Sequence, residues 1–145
     1  MAFLLMFNLL IGEVLCMGTT EFSPNSIDLV RLAQIESSQN PRAYNPKSQA
    51  RGLMQITPIS LKDYNNYHAK EPVSPDQLYD PTTNMQVAQW YIQQRIPQML
   101  KAFKIPVTLD NVLWAYNGGI GNVKINRMAP ETQDYIRKYN AVQER

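Results

Sequence analysis

The sequence predicts a mainly helical (mainly α) fold, a compact domain with at most a small strand element. Three observations carry this. Apolar residues recur at three- and four-residue spacing in several segments, most of those segments open on a side-chain cap or an early proline, and few stretches alternate apolar with polar residues. No internal repeat or low-complexity tract interrupts the pattern. At 145 residues the chain is a single-domain length and can bury one core without disulfides or metal as staples.

Taken in order, residues 1–22 are an apolar N-terminal segment beginning "MAFLLMFNLLIGEVLCMG". Its apolar run is far shorter than the roughly 20 residues a bilayer span needs, so no transmembrane span is predicted. Two readings stand. A secretory signal fits the run and the small Gly18, although no Lys or Arg precedes it and Glu13 falls near its end; an ordered hydrophobic helix fits equally. Val14-Leu15-Cys16 is a poor lipoprotein box, which leaves a lipid anchor on Cys16 as a minor option.

Residues 23–145 carry the periodic pattern. Ser23-Pro24 is a start signal for a helix of about three turns with Ile27, Val30, Leu32, Ala33 and Ile35 on an apolar face, ending near Glu36 to Ser38. Asn40 to Arg51, with two prolines and no apolar period, reads as a loop. The run "GLMQI" at 52–56 reads as strand-like or extended, and Thr57-Pro58 opens a helix through Leu61 and Tyr64. After a polar stretch, Asp80-Pro81 starts the longest helix, with Met85, Ala88, Tyr91, Ile92 and Ile96 on one face until Pro97 kinks or ends it. Thr108 caps the next, which Gly118-Gly119 stops, and a last helix runs from about Pro130 through Tyr135, Ile136 and Tyr139.

Composition narrows the chemistry. A net charge of +2, with scattered Lys and Arg, gives no case for nucleic acid as a partner. Cys16 and His68 are each alone of their kind, so the chain can build no intrachain disulfide, no Cys/His zinc cluster and no Cys/His nucleophile pair beyond that one couple. Their simpler readings are a small buried hydrophobe and a surface polar residue. No cofactor is expected; chemistry falls to carboxylates, amides and hydroxyls.

One carboxylate is out of place. In "AQIESSQNP", residues 33–41, Glu36 shares a face with Leu29, Leu32 and Ala33 on a 3.6-residue period. Burial there and the negative end of the helix dipole both raise a carboxyl pKa, which suits a general acid. Taken alone, Glu36 reads first as a structural acid that caps backbone or pairs with Arg31 or Arg42. Asp28, Asp63, Asp110 and Glu131 are the other acids weighed, and none stands out as a second catalytic group.

The surrounding motifs are Glu36-Ser37 with Asn40-Pro41, then Gly52-Leu53-Met54-Gln55, then Ala115-Tyr116-Asn117, in that order. Softer features accompany them: Asp80-Pro81 with Asn84, Gly121-Asn122-Val123, and Glu131-Thr132 with Tyr135. Over about residues 24 to 140 the chain thereby resembles the lytic transglycosylases of the bacterial cell wall, of the soluble-lytic-transglycosylase type with a goose-lysozyme-like domain. The resemblance implies an α+β lysozyme-like fold, a catalytic domain over 23–145 and an active-site groove beside the helix ending at Glu36. It implies that Glu36 is the sole catalytic carboxylate, acid then base, and that peptidoglycan glycan strands are cleaved between MurNAc and GlcNAc without water, giving 1,6-anhydro-MurNAc.

Other roles follow from the same resemblance. Ser37, Asn45, Met54, Gln55, Tyr116, Asn117, Glu131 and Tyr135 are the substrate-binding candidates. Gln55 and Asn117 offer amides that both donate and accept, Tyr116 is expected to aim its hydroxyl at Glu36, and Met54 is expected to wall a sugar face. Packing or capping remains the alternative for Met54, Tyr116, Asn117, Glu131 and Ser37. Departures fall beside the acid: Gln39 replaces an aromatic, Asn45 a serine, and Ser48-Gln49-Ala50 is one residue longer than the usual Gly-Ala pair.

Two further functions are carried, a lysozyme-type muramidase that hydrolyses the same bond and a non-catalytic wall-binding component. The expected location is the cell envelope, periplasmic or exported, with a virion setting also open. Secretion, conjugation or phage assembly partners are all compatible with that reading.

Overall fold

A computed structural model of the chain describes residues 21–141. The expectations for most of the apolar N-terminal segment, including Cys16, lie outside the described residues. The rest is mainly helical, with one two-stranded sheet.

The first helix starts later than Ser23-Pro24 signals. Pro24–Ser26 makes only a single 3-10 turn, and Ser23 forms no side-chain cap. The buried Ile27 is extended, and the true cap is Asp28, whose side chain accepts from the Arg31 amide at 3.0 Å. Helix α1 therefore spans Leu29–Ser37. Leu32 and Ala33 are buried on the face that Glu36 extends, whereas Val30 points out to solvent. Ser38 and Gln39, both left-handed, stop the helix, with the Ser38 amide returning to the Ala33 and Gln34 carbonyls.

The 40–51 segment is more ordered than a loop. Strands β1 (Tyr44–Asn45) and β2 (Ala50–Arg51) pair antiparallel, Tyr44 opposite Arg51 and Asn45 opposite Ala50. The 52–56 run is a tight turn and not a strand: Arg51 and Ile56 exchange backbone hydrogen bonds at 3.0 Å in both directions, and Gly52 and Gln55 take positive φ. A Cβ on Gly52 would overlap the Asn84 amide and the Leu78 carbonyl, so both φ and space require glycine there.

Helix α2 (Pro58–Tyr67) is capped by Thr57 and α3 (Pro81–Trp90) by Asp80, as the cap–proline pairs predict. Pro97 does not end the long helix. A π-helical turn at Tyr91–Arg95 widens the coil, with the Ile96 amide reaching back to the Tyr91 carbonyl, and α4 continues over Ile96–Ala102. The extra residue in that turn lets the chain pass the proline, which has no amide to donate. Helix α5 (Leu109–Gly118) is capped by Thr108 and closes on Gly119, at φ 84°. A short α6 (Ile120–Lys124), which the sequence reading lacked, leads to α7 (Pro130–Ala141).

The core runs along α3 and α4, where Val87, Ile92, Ile96 and Leu100 are wholly buried with Leu32, Leu113 and Met54. Asn84 lies inside it and is fully bonded: its amide nitrogen donates to the Arg51 and Leu78 carbonyls at 2.9 and 2.8 Å, and its oxygen accepts from the Met54 amide at 2.8 Å. This clamp ties the Gly52–Gln55 turn to the long helix, and losing it would strand the buried Met54 amide and Leu78 carbonyl and remove a bond from the part-buried Arg51 carbonyl. Helices α1 and α7 are joined through Tyr139. Its hydroxyl accepts from the Asp28 amide at 2.8 Å, and its carbonyl accepts from Arg31, whose guanidinium lies 5.1 Å from the ring centroid.

Candidate active site

The helix ends and the hairpin surround one cleft of about 350 Å³. Glu36, Asn45, Gln55, Tyr116, Asn117, Glu131 and Tyr135 all line it, so motifs far apart in sequence meet there. Ser37 and Met54 do not. Ser37 turns its hydroxyl to the Leu53 carbonyl at 2.8 Å and accepts from the Asn40 amide at 3.1 Å, which pins the end of α1 to the turn beside it.

Met54 needs correction. Its side chain is wholly buried, so it gives no wall to a ligand and serves the site through its backbone. The Met54 carbonyl accepts a hydrogen bond from the Tyr116 hydroxyl at 2.6 Å. That corrects Tyr116 too: its hydroxyl is engaged by the turn and does not orient the acid. The tyrosine on Glu36 is Tyr135, whose hydroxyl donates to Oε1 at 2.7 Å. Burial first, then the Glu36 charge, holds both phenols well above the ordinary value, so each remains a neutral donor.

Glu36 is half-buried and raised from 4.5 to about 7. Burial is the main cause; the Tyr135 hydrogen bond opposes it, and the Glu131 charge adds to it. The ion pairs among the described residues join Arg95 to Asp63 and Arg137 to Asp134, so neither Arg31 nor Arg42 neutralises the acid. Asp28 caps α1, and neither it nor Asp63 nor Asp110 lines the cleft. Glu131, in the first turn of α7, is the other carboxyl there.

The amides are partly engaged by the protein. Gln55 donates to the Gly52 carbonyl at 3.0 Å and more weakly to that of Ala43, which holds its side chain in place and leaves Oε1 without a protein partner among the described residues. Asn117 Oδ1 accepts from the buried Thr132 hydroxyl at 2.9 Å. Asn45 Oδ1 turns back to the Lys47 and Ser48 amides, closing the longer loop of this chain.

Sequence reasoning missed Thr57, Ser60 and Lys138 among the lining residues. Lys138 was within reach, because Glu131, Tyr135 and Lys138 stand at i, i+4 and i+7 on α7 and share a face. Thr57 and Ser60 read as a cap and its first turn, which they also are. His68 stacks on Tyr64 at 4.0 Å and lies outside the cleft. Among the described residues no group of three or more His, Cys, Asp or Glu is placed to hold a metal ion.

Comparison with known proteins agrees with the mainly helical fold. The chain is similar in structure to the 70 kDa soluble lytic transglycosylase of Escherichia coli, at a TM-score of 0.59 and 28% identity over 75% of this chain. It spans only 19% of that protein's length. No curated protein matches the sequence. Residues 20–138 match the model of the transglycosylase SLT domain, and the chain belongs to that family.

Proposed function

We propose that this domain is a peptidoglycan lytic transglycosylase with Glu36 as its single acid and base. The observation that carries the reading is a half-buried carboxyl in the cleft, without an ion-pair partner among the described residues, held by Tyr135 and raised to about 7, so that a large fraction is protonated at neutral pH. Glu36 protonates the glycosidic oxygen as the bond to the anomeric carbon of MurNAc breaks, and GlcNAc leaves with a free 4-hydroxyl. The sugar's own 6-hydroxyl oxygen then bonds to that carbon and returns its proton to Glu36, closing the 1,6-anhydro ring. An intramolecular nucleophile needs positioning more than activation, so one carboxyl suffices.

Peptidoglycan as substrate implies a site of action in the cell envelope, periplasmic or exported. No helix of the described residues is long and apolar enough to cross a membrane.

Glu131 favours a second reading. It is a second carboxyl in the same cleft, near enough to act on the Glu36 charge, and a hydrolase uses such a group to activate water. Mass spectrometry of sacculi digested by the purified protein separates the two. Anhydro-MurNAc ends are expected; reducing MurNAc ends would move the assignment to a muramidase, and no cleavage at all would leave a binding domain.

A further inference from the structure

A second feature adjoins the cleft on the outer side of α2. Ser60 lines the cleft, and Asp63 and Tyr67 follow it at i+3 and i+7, about 10 Å further along the same face. Asp63 forms a two-point ion pair with Arg95 at 2.7 and 3.3 Å, and the Arg95 guanidinium lies 4.7 Å from the Tyr67 ring centroid. Trp90 packs against the same ring at 5.4 Å and is itself edge-on to the buried Tyr64. Tyr67 is nevertheless 57% exposed.

Tyr91 adjoins this cluster. Burial and then the Asp63 charge push its phenol up while the Ser60 hydroxyl acts the other way, and its charge also reaches Tyr116 on the cleft wall. Tyr91 packs against Trp90 at 6.0 Å, which extends the cluster by one more ring. Surface aromatics usually move freely. This one is fixed by an ion pair, a cation over its ring and an indole, which removes most of the ordering cost of stacking something on it. A pyranose has matching chemistry, with an apolar C–H face for the ring and hydroxyls for Arg95 and Asp63.

We propose that Tyr67 and Trp90, with the Asp63–Arg95 pair, form an additional sugar subsite that holds a more distant residue of the glycan strand lying in the cleft. The inference rests on the glycan-cleaving function proposed above. A strand long enough to reach the ledge gains its contacts, whereas a fragment confined to the cleft does not. The subsite makes the domain prefer polymer over fragments.

The test compares kcat/KM for long peptide-free glycan strands and for a tetrasaccharide of the same polymer, using the full chain, Tyr67→Ala and Tyr67→Phe. Loss of the ring is expected to lower kcat/KM on long strands about fivefold, mainly through KM, with the tetrasaccharide rate held and Tyr67→Phe close to the parent. Equal rates of Tyr67→Ala and the parent on long strands would overturn the subsite and leave the function intact. An equal loss on both substrates also overturns it, because the ring would then act through the cleft itself. A parent protein inert on both substrates would overturn the function and the subsite with it.

Discussion

The Tyr135 hydroxyl donates to Glu36 Oε1 at 2.7 Å, across 99 residues of sequence. The bond both aims the carboxyl and lowers its pKa against the burial that raises it. Removing the hydroxyl therefore has two separable consequences. Tyr135→Phe is expected to lower kcat about tenfold to a hundredfold and to move the alkaline limb of the rate profile to higher pH, since Glu36 then keeps its proton longer. A pH series of anhydro-muropeptide release measures both; an alkaline limb that moves downward would contradict the assignment.

Glu36→Gln is expected to abolish cleavage, by about a thousandfold or more, while retaining binding to glycan. The same substitution tests the burial of the acid through stability. The unfolded carboxyl loses its proton near 4.5 and the folded one near 7, so the folded state holds the extra proton and wild-type stability falls as pH rises through that window. The loss is at most about 3 kcal/mol and is absent in the variant. Urea midpoints of the two proteins are therefore expected to diverge between about pH 4 and about pH 8, with Gln the more stable at the upper end.

The Glu131 charge raises the Glu36 pKa, so Glu131→Gln is expected to shift the alkaline limb of the rate profile down. The effect is opposite in sign to that of Tyr135→Phe. If Glu131 serves only through its charge, kcat at acidic pH changes less than about tenfold and the anhydro product persists. A loss of about a hundredfold at every pH would assign it a direct part in the chemistry.

Gly52→Ala is expected to destabilise the domain by about 3 kcal/mol or more, adding a positive-φ penalty to overlap with the Asn84 clamp. Thermal unfolding reads the loss. Activity should fall ahead of global unfolding, because the same turn supplies Gln55 to the cleft and the carbonyl that engages Tyr116.

The acid was legible because helix periodicity reports which face a residue occupies, and Glu36 extends the face of Leu32 and Ala33. The family motifs then picked out many of the residues that line the cleft, along with Ser37 and Met54, which do not. Which tyrosine meets the acid was not legible. Tyr116 and Tyr135 lie on different helices, and the choice depends on how α1 packs against α7, a register set by contacts such as Asp28 with Tyr139. Met54 escaped for a similar reason: in a turn no period tells inside from outside. Strands of two residues and a five-residue helix are too short to carry a pattern, and the π-helical turn hides inside an ordinary helical spacing.

The joining of α1 to α7 also bears on how the molecule is made. The acid is synthesised early, but Tyr135, Glu131 and the Tyr139 anchor emerge from the ribosome only with α7. A chain interrupted before α7 carries Glu36 without the groups that aim and tune it. On the proposed function, a chain cut short of α7 therefore lacks both the donor and the charge that set its acid.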